Sequence, residues 1–476
     1  MHVHIFFSVH EPLFHPIAKE LKSHYGVESF SSFVWGENQR AFLEKENGVV
    51  YRPLLVFTRD VLPELEGAAP DLAYLEQCET DYGIPLNRMI FAERHLLQGR
   101  DFNQVLRMVE LTFRLVERTY RDVKPNWIFS EDISCMTSYI HWAVAKGMEI
   151  PFYIIGKGTL PDTTAIYTNQ YQHQERLDTL FAEVMARGLT EAERVEASRF
   201  LETFRTRPMR PTGMSVYGQF SKATKYDAKR LVSASKAYYQ DPKNPTNLGN
   251  PAQIIWRRLV RIYRERAVEL WGLFEPPRTG ERYVLFPLHL QPEATTLVQA
   301  PYYLNQPALI EDIAKSLPAG YRLYVKEHTA NRGRWPLQHY RHIRNIFGVR
   351  LLGPDENSWQ LIQNAAAIAA ITSTMGWEGL LYEKPVITFG KPFYNSFPLV
   401  YRAGDVAKDQ WHEVFKKAIF SHHSDRELLL KYVWSALHST YPGWMATANT
   451  IPQVLDPENV KNLAAALADT IGLTAQ

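Results

Sequence analysis

Three stretches in the C-terminal half of the chain hold more hydrogen-bonding capacity than their surroundings need: PLHLQPEATT (287–296), KEHTANRGR (326–334) and TSTMGWEG (372–379). Each follows a short apolar run that reads as a β-strand, so in a parallel sheet all three would emerge at the edge where ligands of open α/β sheets bind. In the third, Thr372, Ser373 and Thr374 precede a helical pattern. One N-cap needs one hydroxyl, and the N–H groups of a helix start attract phosphate. Gly376 would let a backbone or ligand come close. Glu378 stands four residues after Thr374, one too far for a capping box with it. A carboxylate there would repel phosphate but accept hydrogen bonds from a ribose diol, which favours a nucleotide as ligand. Lys326 and His328 close the second strand, and His289 with Glu293 and Thr295 would complete the cradle. Helix capping is the alternative for each hydroxyl, and a buried, satisfied imidazole is the alternative for His328.

The N-terminal half offers acid–base groups. The strand NWIFS (126–130) runs into Glu131 and Asp132. Either carboxylate could take a proton from a hydroxyl, or serve the N-terminus of a helix expected over 132–147. His10 and Glu11, after the first strand, form a second pair. Lys157, in the loop that also holds Asp162, is a third candidate. These are the places where an acceptor would bind.

Motif absences narrow the chemistry. The sequence has no DxD, GxxxxGK[ST], HExxH or GxSxG, which argues against a metal–diphosphate clamp, a P-loop ATPase, a zincin and an α/β-hydrolase. No metal ligand set is expected. Two cysteines, Cys78 and Cys135, in no CxxC spacing, exclude a disulfide framework and fit a reducing, cytoplasmic setting. A formal net charge of +2 gives no stripe for nucleic acid. The start MHVHIFFSVHEP lacks the features of a signal peptide, and no run of about 18 apolar residues appears.

These groups must be positioned by elements that alternate between strand and helix, which implies parallel sheets with crossover helices. A length of 476 residues points to at least two domains. The expected architecture is α/β: an N-terminal Rossmann-like domain at 1–175, a helical connecting region at 176–280, a second Rossmann-like domain at 281–455, and a helix at 456–476 that crosses back to the first. Two such domains would leave a cleft. Within the connection, Thr190 and Glu193 match a capping box. The segment 254–274, IIWRRLVRIYRERAVELWGLF, is basic and aromatic. It reads either as a linking helix with a solvated basic face or as a peripheral membrane helix.

The runs FPLHLQPEATT, LYVKEH and AAIAAITSTMGWEGLLYEKPVITFGKPFY, within about 283–395, resemble the capsule polysaccharide biosynthesis proteins. That family comprises GT-B-fold glycosyltransferases, includes Kdo transferases and is distantly similar to bacterial sialyltransferases. The resemblance implies a GT-B-like pair of domains and a metal-independent glycosyltransferase with no cofactor beyond its nucleotide-sugar donor. A CMP-sugar such as CMP-Kdo or CMP-sialic acid is the favoured donor and a UDP-sugar the other option. The acceptor would be a capsular or other surface polysaccharide, as a glycan or lipid-linked glycan. By the same resemblance His328, Ser373 and Thr374 would contact the donor, with His328 assisting catalysis, and an acidic residue of the first domain, Glu131 or Asp132, would act as base. The family's His-Pro is His328-Thr329 here. A nucleotide-sugar epimerase or hydrolase, and a non-catalytic glycan-assembly subunit, are the competing readings.

Overall fold

A computed structural model describes residues 1–209, 225–245, 247, 249–448 and 451–475. The chain folds into two compact units. The first comprises Met1–Gln174, Lys229–Pro251 and Thr440–Gln476, and the second Glu175–Ala228 and Ala252–Ser439. Each contains one sheet, and both are α/β with Rossmann-like parallel cores.

The first unit has strands β1 (His2–Phe6), β2 (Ser29–Val34), β3 (Tyr51–Val56), β4 (Trp127–Ser130), β5 (Phe152–Lys157) and β6 (Thr163–Tyr167). In the second lie β7 (Tyr283–Pro287), β8 (Arg322–Lys326), β9 (Val349–Leu352), β10 (Ala367–Ala370), β11 (Val386–Thr388) and β12 (Val400–Arg402). A short β13 (Tyr441–Pro442) returns to the first unit. The first sheet runs β13-β6-β5-β4-β1-β2-β3, parallel from β5 to β3, with β6 and β13 antiparallel at its edge. The second runs β12-β11-β10-β7-β8-β9 and is parallel throughout. Its central strands are buried on both faces, so they read as unbroken apolar runs such as YVLF and AIAA.

The connecting region expected at 176–280 does not stand apart. Helices Glu175–Arg187 and Glu191–Thr206 insert Leu177, Phe181, Ala197, Leu201 and Phe204 into a core shared with Leu429, Tyr432 and Val433. Their apolar stripes need a partner, and the helix Arg426–His438 provides it. The capping box at Thr190 and Glu193 is present. The part of this region at 210–224 lies outside the described residues. Residues 440–455, assigned from sequence to the second domain, belong to the first unit. There too lies the helix Pro457–Ile471, which packs Val460, Leu463, Ala464 and Leu467 against Leu13, Ile17 and Leu21 of the helix Glu11–His24.

Strand β2 is the element the sequence hides best. SFSSFV does not alternate, because Ser31 and Ser32 are both buried, and Ser31 Oγ is satisfied by histidines of β1: it bonds His2 Nε2 and His4 Nδ1, each at 2.9 Å.

Candidate functional site

In the second unit β10, β7 and β8 are adjacent and parallel. The three polar stretches therefore leave the sheet side by side, and hydrogen bonds join them. The Thr372 N–H donates to His289 Nε2 (3.3 Å). Thr372 Oγ1 donates to the Thr295 carbonyl (3.1 Å). The Gln306 side chain holds both backbone groups of His289, accepting from its N–H at 2.8 Å and donating to its carbonyl at 3.2 Å.

The helix Thr374–Leu381 begins at this edge. Ser373 is its N-cap, its Oγ accepting from the Met375 N–H at 3.2 Å, so the capping alternative holds for that residue. The bond leaves the hydroxyl hydrogen of Ser373 to donate elsewhere. Thr372 is an anchor between loops, and Thr374 is exposed at the first helical position. Gly376 departs from expectation. A Cβ there would sit 2.1 Å from the Tyr394 hydroxyl, which donates to the Ser373 carbonyl at 2.6 Å. Close packing of this protein's own tyrosine accounts for that glycine. Glu378 is half-buried one turn on and already has an interaction of its own.

Lys326 also departs from expectation. It is buried, and its ammonium donates to the carbonyls of Glu327 (3.3 Å) and Pro354 (3.1 Å), tying β8 to the loop after β9. His328 is half-buried, and its Nδ1 accepts from the Ala330 N–H at 3.1 Å. Burial, and then the Lys326 charge, lower its pKa to about 4, so the ring is neutral at pH 7. With Nδ1 an acceptor, the proton resides on Nε2, which makes it a neutral hydrogen-bond donor. Burial and the neighbouring His328 lower His289 to about 3, and its Nε2 acceptor role fixes the opposite tautomer. Glu293 is half-buried before the short helix Ala294–Leu297 and accepts a long bond from Thr295 Oγ1 (3.4 Å).

The loop that carries His328 is braced by the helix Pro251–Leu270. Arg261 donates to the carbonyls of Arg332 (2.7 Å) and Ala330 (2.6 Å), and Arg264 to that of Arg334 (2.9 Å). Gly333 makes this approach feasible: its φ is +63° and a Cβ would lie 2.1 Å from the Arg261 carbonyl oxygen. Gly333→Ala is expected to displace the loop, lowering Tm by several degrees in differential scanning fluorimetry, whereas Gly348→Ala, whose Cβ would meet nothing, bears only the backbone strain.

In the first unit β1, β4 and β5 are adjacent, and their carboxyl ends gather His10, Glu11, Glu131, Asp132 and Lys157. The helix expected from 132 starts at Met136 behind Cys135, with Ser138 accepting from the N–H groups of Ser134 (3.0 Å) and Cys135 (3.2 Å). Glu131 and Asp132 thus lie in a loop before the helix, and neither caps it. His10 Nε2 is 2.6 Å from Glu131 Oε1. Burial pulls His10 down, but Glu131, together with Glu11 and the Ala446 backbone, outweighs it and holds the imidazole above its ordinary value. Burial pushes Glu131 up, yet His10, Arg94 and Lys157 hold it below the usual carboxylate range. Asp132 goes the other way. Burial, and then the Glu131 charge, push it up to about 7, against weaker contributions from Arg94 and from Gln172, whose Nε2 donates to Asp132 Oδ1 at 2.9 Å. Two adjacent carboxylates with separated titrations form an acid–base arrangement. Burial also raises Glu11, which accepts from Gln39 Nε2 at 3.1 Å. Lys157 is exposed at the end of β5.

Sequence reasoning missed Gln172, Arg94, Gln306, Glu327, Asn331 and Tyr394. Arg94 sits in a loop fixed by Glu93, which accepts from the N–H groups of Arg94 (2.8 Å), His95 (2.8 Å), Leu96 (3.2 Å) and Met136 (3.2 Å). No local pattern marks Gln172, Gln306 or Tyr394, whose partners are remote in sequence, and Glu327 bonds its neighbours His328 and Asn331 without a recognisable motif.

Two sheet units with parallel cores and polar groups gathered at their strand ends define an α/β protein. The profile of the capsule polysaccharide biosynthesis protein family matches residues 195–435, and the chain belongs to that family. It is 48% identical over 46 residues to the capsule polysaccharide modification protein LipA of Neisseria meningitidis, in strains of serogroups A and B. That match spans 10% of this chain and 6% of LipA. Among solved structures it is similar to Thermosulfurimonas dismutans KpsC, a β-Kdo 2,7 transferase, with 13% identity, a TM-score of 0.39, and coverage of 75% of this chain and 89% of that one. The UDP-GlcNAc 2-epimerase of Neisseria meningitidis is another, at 12% identity and a TM-score of 0.30, covering 99% of both chains.

Proposed function

We propose that this protein is a glycosyltransferase of surface-polysaccharide assembly that uses a nucleotide-sugar donor, a CMP-sugar before a UDP-sugar. The observation that carries the reading is the hydrogen-bonded junction of the β7, β8 and β10 ends, where His328 Nε2–H and the Ser373 hydroxyl remain as donors at the start of a helix. Such groups stabilise charge developing on a leaving phosphate without a metal. Asp132 accepts the proton of the acceptor hydroxyl. The acceptor oxygen then bonds to the anomeric carbon as the bond from that carbon to the phosphate oxygen breaks, and the nucleotide phosphate leaves with the electron pair. Glu131, held ionised by His10, keeps Asp132 titrating near neutrality. Thr374 and Glu378 would meet the nucleoside side of the donor.

Screening CMP-, UDP- and GDP-sugars for thermal stabilisation tests the donor assignment. One class is expected to raise Tm, and the rise is expected to shrink in His328→Ala and Ser373→Ala. Stabilisation by none of them, or an undiminished shift in both variants, overturns it.

A lipid-linked acceptor would bring the protein to a membrane surface. No helix among the described residues is long and apolar enough to cross a membrane. The helix Pro251–Leu270 exposes Ile255, Trp256, Leu259, Tyr263 and Leu270 beside the exposed Arg266, a face suited to peripheral contact. Co-sedimentation with anionic vesicles, reduced in Trp256→Ser/Leu259→Ser, is the expected result. Equal sedimentation of both proteins refutes this contact.

A further inference from the structure

The turn after β8 has no proline to set its course, yet it must hold His328 at one angle and in one tautomer for the donor site proposed above. We propose that Asn331 is the positioning residue of that site: its amide locks the ends of β7 and β8 together and thereby aims the His328 ring. The inference rests on the donor-site reading and adds to it a residue that touches no ligand.

Asn331 is fully buried. Its Nδ2 donates twice, to Glu327 Oε1 at 2.9 Å and to the His289 carbonyl at 3.1 Å. Both partners are acceptors. Only the NH₂ end of the amide can face them, so the orientation of the side chain is dictated by chemistry. Its backbone works in the same junction, the N–H donating to the His328 carbonyl at 2.9 Å and the carbonyl accepting from the Arg334 N–H at 2.8 Å. Glu327, equally buried, also accepts from the His328 N–H at 2.5 Å. His328 is thus held at its backbone by Glu327 and at its ring by the Ala330 N–H. Through His289, whose ring accepts from Thr372, the same amide reaches the β10 end. One side chain therefore couples all three strand ends. Asn331 Oδ1 is buried without a hydrogen-bond partner among the described residues, a cost that this position bears only if the two donors matter.

An isosteric change separates shape from hydrogen bonding. Asn331→Asp keeps the volume but sets an acceptor against two acceptors, and Asn331→Ala removes both bonds. A proline at 329 offers an independent way to fix the turn. His328 is extended (φ −76°, ψ 134°), as a residue before proline must be, and Thr329 opens the 3₁₀ turn Thr329–Asn331, where a proline is tolerated.

The test measures donor binding and turnover on the full chain, using whichever nucleotide-sugar stabilises the wild type. Asn331→Ala is expected to raise the donor KM about tenfold, the loss of one to two ordinary hydrogen bonds, with the acceptor KM unchanged. Thr329→Pro in the Asn331→Ala background is expected to recover most of that loss. A merely structural role predicts a lower Tm with donor and acceptor KM equally unaffected in the folded fraction, and no rescue by proline; that result overturns the proposal. Should Asn331→Ala not fold, Asn331→Ser is measured instead: a raised donor KM supports the proposal and a wild-type donor KM overturns it. Failure of every nucleotide-sugar to bind the wild type would refute the donor site itself, a different outcome from wild-type affinity in the variants.

Discussion

Asp132→Asn is expected to lower kcat by about 10²- to 10⁴-fold, the usual contribution of a positioned general base, while leaving donor-induced thermal stabilisation intact. The amide is isosteric and can still accept from Gln172, so the fold has no reason to change. The wild-type rate should rise with pH through about 7 as Asp132 ionises, and that limb should vanish in the variant. Glu131→Gln gives the sharper sign. The Glu131 charge is the second cause, after burial, that raises Asp132. Removing it moves the limb to lower pH, so activity relative to the plateau increases near pH 6. A limb that stays at the same pH in Glu131→Gln would show that Asp132 is not the titrating base. Stability follows the same linkage. A carboxyl held above its ordinary value in the folded state binds more protons there than when unfolded, so its contribution declines as pH rises from about 4 to about 7. Asp132→Asn is expected to flatten that decline in urea denaturation.

His328→Ala is expected to weaken donor binding about 10- to 100-fold, the range for a hydrogen bond to a charged group. Its pH behaviour distinguishes two accounts of the same histidine. An imidazolium would lose affinity for phosphate as pH rises past 6.5. The neutral ring seen here, with its pKa lowered to about 4 and its Nδ1 already an acceptor, predicts donor affinity that is flat between pH 6 and 8. A steep fall over that interval, measured by calorimetry and lost in His328→Ala, would show that the ring binds as a cation.

The sequence betrays the strand–helix alternation of both sheets because parallel strands buried on two faces must be apolar throughout, as β7 and β10 are. It hides β2, whose buried Ser31 depends on histidines of another strand. The three polar strand ends were legible as a group, since a parallel sheet sends them all one way. Their individual roles were not. Ser373 caps its own helix, whereas Thr372 anchors, Gly376 yields to Tyr394 and Lys326 turns to the Pro354 carbonyl because of partners farther along the chain. The same remoteness concealed Asn331 and Gln172. Pairing Glu131 with His10 could be guessed only by knowing that β1 and β4 are neighbours.

The first unit is assembled from segments that lie on both sides of the second, and this bears on synthesis. Its strand β1 is synthesised well before residue 457, but the apolar side of the helix Glu11–His24 facing the helix Pro457–Ile471 stays uncovered until Val460, Leu463 and Leu467 have been made. The second unit can close first, because Glu175–Ala228 and Ala252–Ser439 are complete before residue 440. The nascent helix therefore waits for its partner, with Leu13, Ile17 and Leu21 lacking that cover, while the intervening residues are made. Truncation before residue 457 would make that state permanent and leave a chaperone-dependent, aggregation-prone protein.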